Sequence, residues 1–331
     1  MTSAAPTAND MPLLLFPGAL GDLLCLLPTL QALLRRHPSG VRLVANSAWL
    51  PLVAHAPLQT VAQERREVAE LYASGPFSDA ALRLFSGIGD VYSWTAHGNE
   101  EFRSRLARLA GGNIRLFPFR GMRPGEHAAD YYARCVGITP VSPGADLLCV
   151  DRQTVSATIA GSRLAQADWL LLHPGSGSPA KNWQGFEALV RYWRQVRQQP
   201  VALLLGPAEI ERSATQPPGS HPLPLASQAD VVIASASLPE VAAWLAAAPL
   251  YAGNDSGISH LAAPCGARGV VLFASSDPVA WAPRSPLLRV LHRPRACRLC
   301  GKDVFCIHRL PVDDVIAALD VMAAARPAGE G

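Results

Sequence analysis

The sequence is short of charge. Only 17% of its 331 residues are Asp, Glu, Lys or Arg, and the formal net charge is +3. So mild a balance gives no basic footprint for nucleic acid, although it permits a local patch for an acidic substrate. With 49% apolar residues the chain is too hydrophobic to stay disordered. No Lys or Arg precedes Arg35, so the apolar stretch Leu13–Leu34 lacks the basic start of a signal peptide. Gly18, Gly21, Asp22 and Pro28 interrupt that stretch, which argues against a membrane span. The seven cysteines are an odd number, and Cys25, Cys135, Cys149 and Cys265 stand in apolar surroundings. They read as small buried residues rather than a secreted disulfide framework. A reduced, cytoplasmic protein is therefore expected. No repeat of solenoid period is visible.

The chain is too long for one typical domain of roughly 100–200 residues, so two are expected. Residues 1–10 are small and polar and are expected to be disordered. Leu13–Phe16 reads as a buried strand closed by Pro17–Gly18, followed by a helix from Gly21 to Arg36, with Pro28 expected to kink it or open a second segment. Val41–Ala45 is a second strand. The second half repeats the plan, with strands at Trp169–Leu172, Val201–Leu205, Val231–Ala234, Leu250–Ala252 and Gly269–Ala274. Helices are expected at 185–197, 239–247 and 311–325. Short apolar runs alternating with helical patterns predict parallel, doubly wound sheets.

Three glycine-bearing segments follow strands. FPGALGDLL (16–24) lets the backbone turn sharply before a helix. Its acid, Asp22, is either a helix-start residue favoured by the dipole or a general base where such folds bind ligands. HPGSGSPAKNW (173–183) offers small residues, the hydroxyls of Ser176 and Ser178, and Lys181. It suits a diphosphate, or is a plain turn with a solvated lysine. Its spacing is not that of a Walker motif. GNDSGISHLAA (253–263) places Asp255 at a strand end and Ser256–Gly257 at a helix start, with His260 one turn on. That is an anion site, or an N-cap and a core histidine. Two such loops in one domain favour a nucleotide diphosphate. The G-x-G-x-x-G fingerprint of a dehydrogenase, with its acid about 20 residues on, is missing.

GALGDLLCLLPTLQAL, HPGSGSPAKNW, LLLGPAEIER, GNDSGISHLAA and SSDPVAWAP, in this order, resemble the ADP-heptose:lipopolysaccharide heptosyltransferase family, glycosyltransferase family 9. The likeness runs from Leu13 to Leu319, and EHAADYYARCVGI (126–138) resembles the family's segment joining the acceptor domain to the rest. The resemblance implies a GT-B fold, in which two Rossmann-like domains with parallel sheets face each other across a cleft. It divides the chain into an acceptor-side domain, 11–155, and a nucleotide-sugar domain, 156–331, with the last helix packing back on the first. It implies inversion, an ADP-heptose donor, a glycolipid or glycan acceptor, no catalytic metal, and a place at the cytoplasmic face of the inner membrane. Residue by residue, Asp22 matches the family's base. Ser176 and Lys181 match diphosphate contacts, and Glu209 a ribose contact. Asp255 matches the acid on the sugar hydroxyls, Ser256–Gly257 the amides on the diphosphate, and His260 a family histidine.

Seven arginines lie between 102 and 134. An acidic glycolipid would suit them, with Arg120 and Arg123 as acceptor contacts, and a solvated helix face is the alternative. ACRLCGKDVFC (296–306) spaces Cys297, Cys300 and Cys306 as thiolates for zinc or iron, with His292 and His308 nearby, or as plain reduced thiols. Alternatives to heptosyl transfer are another nucleotide sugar, a non-lipopolysaccharide acceptor, or a non-catalytic nucleotide-sugar binder.

Overall fold

The computed structural model describes residues 11–139, 143–166, 168–178, 181–207, 209–211, 223–273, 276–292, 307 and 310–325. The chain divides into two compact units, Met1–Cys149 and Val150–Gly331. Helix Arg152–Ala160, which spans the expected boundary at 155, packs on helix Leu238–Ala247 of the second unit.

In the first unit the strands are β1 (Met11–Leu15), β2 (Val41–Ala45), β3 (Leu58–Ala62), β4 (Ile88–Ser93) and β5 (Ile114–Leu116). Their order is β3-β2-β1-β4-β5, and every pairing is parallel. β1 and β2 are buried on both faces, which is why they read as continuous apolar runs. The one cation in β2, Arg42, is buried but satisfied. It donates to Gln59 Oε1 at 2.7 Å, to the Ser86 carbonyl at 3.2 Å, and to the Leu84 carbonyl. Helix Leu20–Arg36 follows β1 and runs unbroken through Pro28, contrary to the expected second segment. Leu23, Leu24, Leu26, Leu27, Leu30 and Leu33 are all buried along it. That packing outweighs the one backbone hydrogen bond a proline removes.

The second unit's strands are β6 (Leu170–His173), β7 (Val201–Leu205), β8 (Val231–Ala234), β9 (Leu250–Asn254), β10 (Gly269–Leu272) and β11 (Leu288–Leu291). They run β11-β10-β9-β6-β7-β8, again all parallel. Helices Phe186–Gln195 and Val312–Ala324 cover one side, closing a core of Leu170, Leu203, Val270, Trp193 and Leu319. The last helix packs against β9, β10, β11 and helix Phe186–Gln195 of its own unit.

Each sheet is wound outward from its first strand and then restarted on the other side. The winding reverses between β1 and β4 in one sheet and between β6 and β9 in the other. In such sheets ligands bind at the carboxyl ends of the strands flanking the reversal. Asp22 follows β1, Ser176 follows β6, and Asp255 follows β9.

Candidate functional site

In the second unit three strand ends are latched together. The fully buried Asn254, last residue of β9, donates from Nδ2 to the Pro174 carbonyl at 2.6 Å. Its Oδ1 accepts the Trp183 backbone N–H at 3.2 Å. Asn254 therefore pins both ends of the loop that follows β6. Within that loop the buried Ser176 Oγ lies 2.6 Å from the Ser178 carbonyl and 2.7 Å from Asn182 Oδ1. A hydroxyl has one proton, so one of these contacts uses it. Ser176 thus shapes the turn, whatever else it touches.

The third strand end comes from β7. Glu209 is buried, and its Oε2 accepts the Gly206 N–H at 3.0 Å. Its carboxylate lies directly over Gly175, where an added Cβ would come within 2.5 Å of Oε1. Only glycine permits that approach. Across the loops, Lys181 Nζ and Asp255 Oδ2 form an ion pair at 2.7 Å. Asp255 is buried while Lys181 keeps partial exposure. The ammonium has three donors and the carboxylate several lone pairs, so the pair can bind further groups on either side.

Ser256 caps the short helix Gly257–Ala262, accepting the Ser259 N–H at 3.3 Å. The same Oγ lies 3.3 Å from His173 Nδ1, at the end of β6. Burial pushes the His173 imidazole down to about 4, so at neutral pH it is uncharged. Gly257 opens the helix, and His260 is buried further along it. The donor residues named from the sequence are thus brought to one rim of one sheet. His173 and Asn254 had no expected role. Their signal was position, since each ends a strand beside the reversal.

In the first unit Asp22 is buried in the first turn of helix Leu20–Arg36. Its Oδ2 accepts the Ala19 N–H at 3.1 Å, so the helix-start role is real. Its Oδ1 lies 3.4 Å from the Tyr132 hydroxyl, on helix Ala128–Val136. Burial raises the Asp22 carboxyl above its ordinary value, while the Arg120 guanidinium and these hydrogen bonds pull the other way. Tyr132 sits among Phe16 and Trp94, both edge-on to its ring. Burial and the Asp22 charge push its hydroxyl up, so it stays a proton donor. An aromatic box around one acid had no sequence signal, because its members come from three separate segments.

The arginines do not form one face. Arg105 is buried and donates to the Glu70 carbonyl at 2.7 Å and the Gly75 carbonyl at 2.8 Å. Arg103 donates to the Ile114 carbonyl at 2.7 Å, and Arg134 pairs with Glu126 at 2.6 Å. Arg108 lies over Phe77 and Arg115 over Tyr92. Arg123 contributes its charge and backbone N–H to Glu126. Arg120, exposed and over Phe119, is the one whose charge reaches Asp22. Residues 1–10 and Cys297, Cys300, Cys306 and His308 lie outside the described residues. Among the described residues no helix is long and apolar enough to cross a membrane, and no group of three or more His, Cys, Asp or Glu could hold a metal.

Residues 142–304 match glycosyltransferase family 9 (heptosyltransferase). That segment, just under half of the chain, is a family 9 domain. The matched segment carries the β6, β7 and β9 loops and leaves Asp22 outside it. Among solved structures it is similar to a family 9 glycosyltransferase from Veillonella parvula DSM 2008. That likeness has a TM-score of 0.74 and 18% identity over 98% of this chain and 100% of that one. The E. coli heptosyltransferase WaaC with ADP gives 0.65 and 18% over 95% of this chain and 100% of that one. The E. coli ADP-heptose lipopolysaccharide heptosyltransferase II gives 0.69 and 16% over 95% and 98%. These likenesses place the chain in the GT-B fold, with two parallel-sheet α/β units. No curated protein matches its sequence.

Proposed function

We propose that the protein moves a heptose from an ADP-linked donor to a hydroxyl of a lipopolysaccharide-core or related glycan acceptor, with inversion and with Asp22 as general base. The observation that carries this reading is the convergence of Glu209, Lys181, Asp255 and the Ser256–Gly257 turn on one rim of the second sheet. A ribose-binding acid, a cation and free amides are what a nucleoside diphosphate needs. WaaC holds ADP in its solved structure, which supports the same class of donor here.

In this mechanism Asp22 takes the proton of the acceptor hydroxyl as its oxygen attacks the anomeric carbon. The bond from that carbon to the diphosphate oxygen breaks, and the electron pair leaves with ADP. Lys181 and the amides of Ser256 and Gly257 meet the negative charge that develops there. Asp255 orients the sugar hydroxyls and in the resting state balances the Lys181 ammonium. The Arg120 guanidinium favours the ionised form of Asp22 and partly offsets the cost of its burial. Cys297, Cys300 and Cys306 offer thiolates for a zinc or iron separate from this chemistry.

Titration calorimetry with ADP tests the donor site. Lys181→Ala should weaken binding by about tenfold or more, the loss of a charge-assisted contact. ADP affinity unchanged in that variant would overturn the assignment.

A further inference from the structure

A pocket of about 310 Å³ opens in the first unit at the carboxyl ends of β1, β2, β3 and β4. It is lined by Phe16 and Val68 on the apolar side and by Gln63, Glu64, Tyr72 and Thr95 on the polar side. Ligand pockets span roughly 300–1,000 Å³, so this one suits a single small unit. One of its lining residues, Phe16, neighbours Asp22. A Cβ at Gly18 would strike the Phe16 ring and stand 2.7 Å from the Cβ of Asp22, so these two side chains close over the same backbone atom.

The polar groups are held in place. The Tyr72 hydroxyl donates to Thr95 Oγ1 at 3.1 Å, and its ring stacks on Phe102 with centroids 4.7 Å apart. Tyr72 is nonetheless 51% exposed, presenting an aromatic surface to whatever enters. Both Glu64 oxygens accept the Ser47 N–H, each at 3.2 Å. A carboxylate has about four lone-pair sites, so acceptors remain for a guest. Among the described lining residues Glu64 is the only ionised side chain.

We infer that this pocket seats a neutral or amino sugar unit of the acceptor and rejects one bearing a carboxylate or phosphate. Hydroxyls and an ammonium are donors that a fixed carboxylate accepts. An anion there meets a like charge, which disfavours it both by repulsion and by lost hydrogen bonds. The exposed ring of Tyr72 supplies an apolar face for the C–H side of a sugar ring. The inference rests on the transferase reading for its acceptor, but the pocket's selectivity is measurable without turnover.

The test is saturation-transfer NMR on the full-length protein with methyl glucoside, methyl glucosaminide and methyl glucuronide as probes. The first two should bind and the third should be weaker by about fivefold or more, the scale of an exposed charge contact. Glu64→Gln keeps acceptors for Ser47 and removes the charge. It should erase the discrimination against the glucuronide and leave ADP affinity unchanged. Tyr72→Ala should weaken all three probes. A glucuronide that binds native protein as well as the glucoside, a ranking untouched by Glu64→Gln, or no binding by any probe would overturn the inference. ADP binding on the same samples separates the two readings. Sugar selectivity without ADP binding would sink the transferase and leave the pocket, and the reverse would sink the pocket alone.

Discussion

At the scale of single residues, Asp22 carries two roles at once. Its Oδ2 closes the helix start on Ala19, and its Oδ1 faces Tyr132 in a buried aromatic box. Asparagine keeps the shape and can still accept the Ala19 N–H, but it cannot take a proton. Asp22→Asn should therefore reduce kcat by about 10²–10⁴-fold, the usual scale for general acid–base catalysis. The thermal effect runs the other way. Burial raises the folded pKa of Asp22 above 3.8. The stability this group contributes is thus present below the unfolded pKa and lost as pH rises through the folded one. At neutral pH the Asn variant should melt at the same temperature as the native protein or above it, with the difference shrinking toward pH 4. Near-normal kcat in a well-folded Asp22→Asn protein would end the case for the base. The acid limb of the native pH–rate profile should likewise lie above the ordinary carboxylate range.

At the scale of elements, function depends on how closely the loops pack. Gly175 in the β6 loop lies under the Glu209 carboxylate, which follows the carboxyl end of β7. Gly175→Ala has no room for its methyl group and must displace that carboxylate. The sheet itself should persist, because Asn254, Trp183 and the core around Leu203 and Trp193 are untouched. We expect ADP to bind about tenfold more weakly, roughly 1.4 kcal/mol, with an unchanged far-ultraviolet dichroism spectrum. ADP affinity equal to that of the native protein would mean Glu209 does not contact the nucleotide. The same scale explains which strands the sequence disclosed. Val41–Ala45, Val201–Leu205 and Val231–Ala234 are found with their observed bounds, since a parallel sheet leaves its apolar runs unbroken. β3 and β11 are half-exposed edge strands carrying Gln59 and Arg289. β4 holds Gly89 and Asp90 within an inner strand, which breaks the pattern there.

At the scale of the whole molecule, the charge balance of the donor rim bears on metal use. In the proposed mechanism Lys181 offsets the leaving diphosphate, and no Asp-x-Asp pair occurs in the sequence near the three loops. Transfer should persist in EDTA. Loss of turnover that added magnesium restores would show that the diphosphate needs a divalent ion. The cysteine cluster makes a separate forecast. Elemental analysis of the purified protein should find zinc or iron that Cys300→Ser loses, and native protein free of both would remove the metal from this reading. The division into Met1–Cys149 and Val150–Gly331 leaves the proposed base on one unit and the donor rim on the other. Each can therefore be probed by its own binding measurement.

The sequence by itself determined the elements that local physics dictates. Glycine turns after apolar runs located β1, β6 and β9 and the candidate residues beside them, because such turns and buried parallel strands are written in consecutive residues. Tertiary structure alone decided the partners. That Lys181 pairs with Asp255, that Asn254 latches the β6 loop, and that Glu209 covers Gly175 are contacts between segments far apart in the chain. The same holds for the box around Asp22 and the pocket bounded by Glu64 and Tyr72. The arginines show the difference most directly. They are neighbours in sequence, but packing sends Arg105 into the interior, ties Arg134 to Glu126 and leaves the charge of Arg120 acting on Asp22. A one-dimensional pattern records which residues exist, whereas only the closed fold sets which charges meet and which are shielded from water.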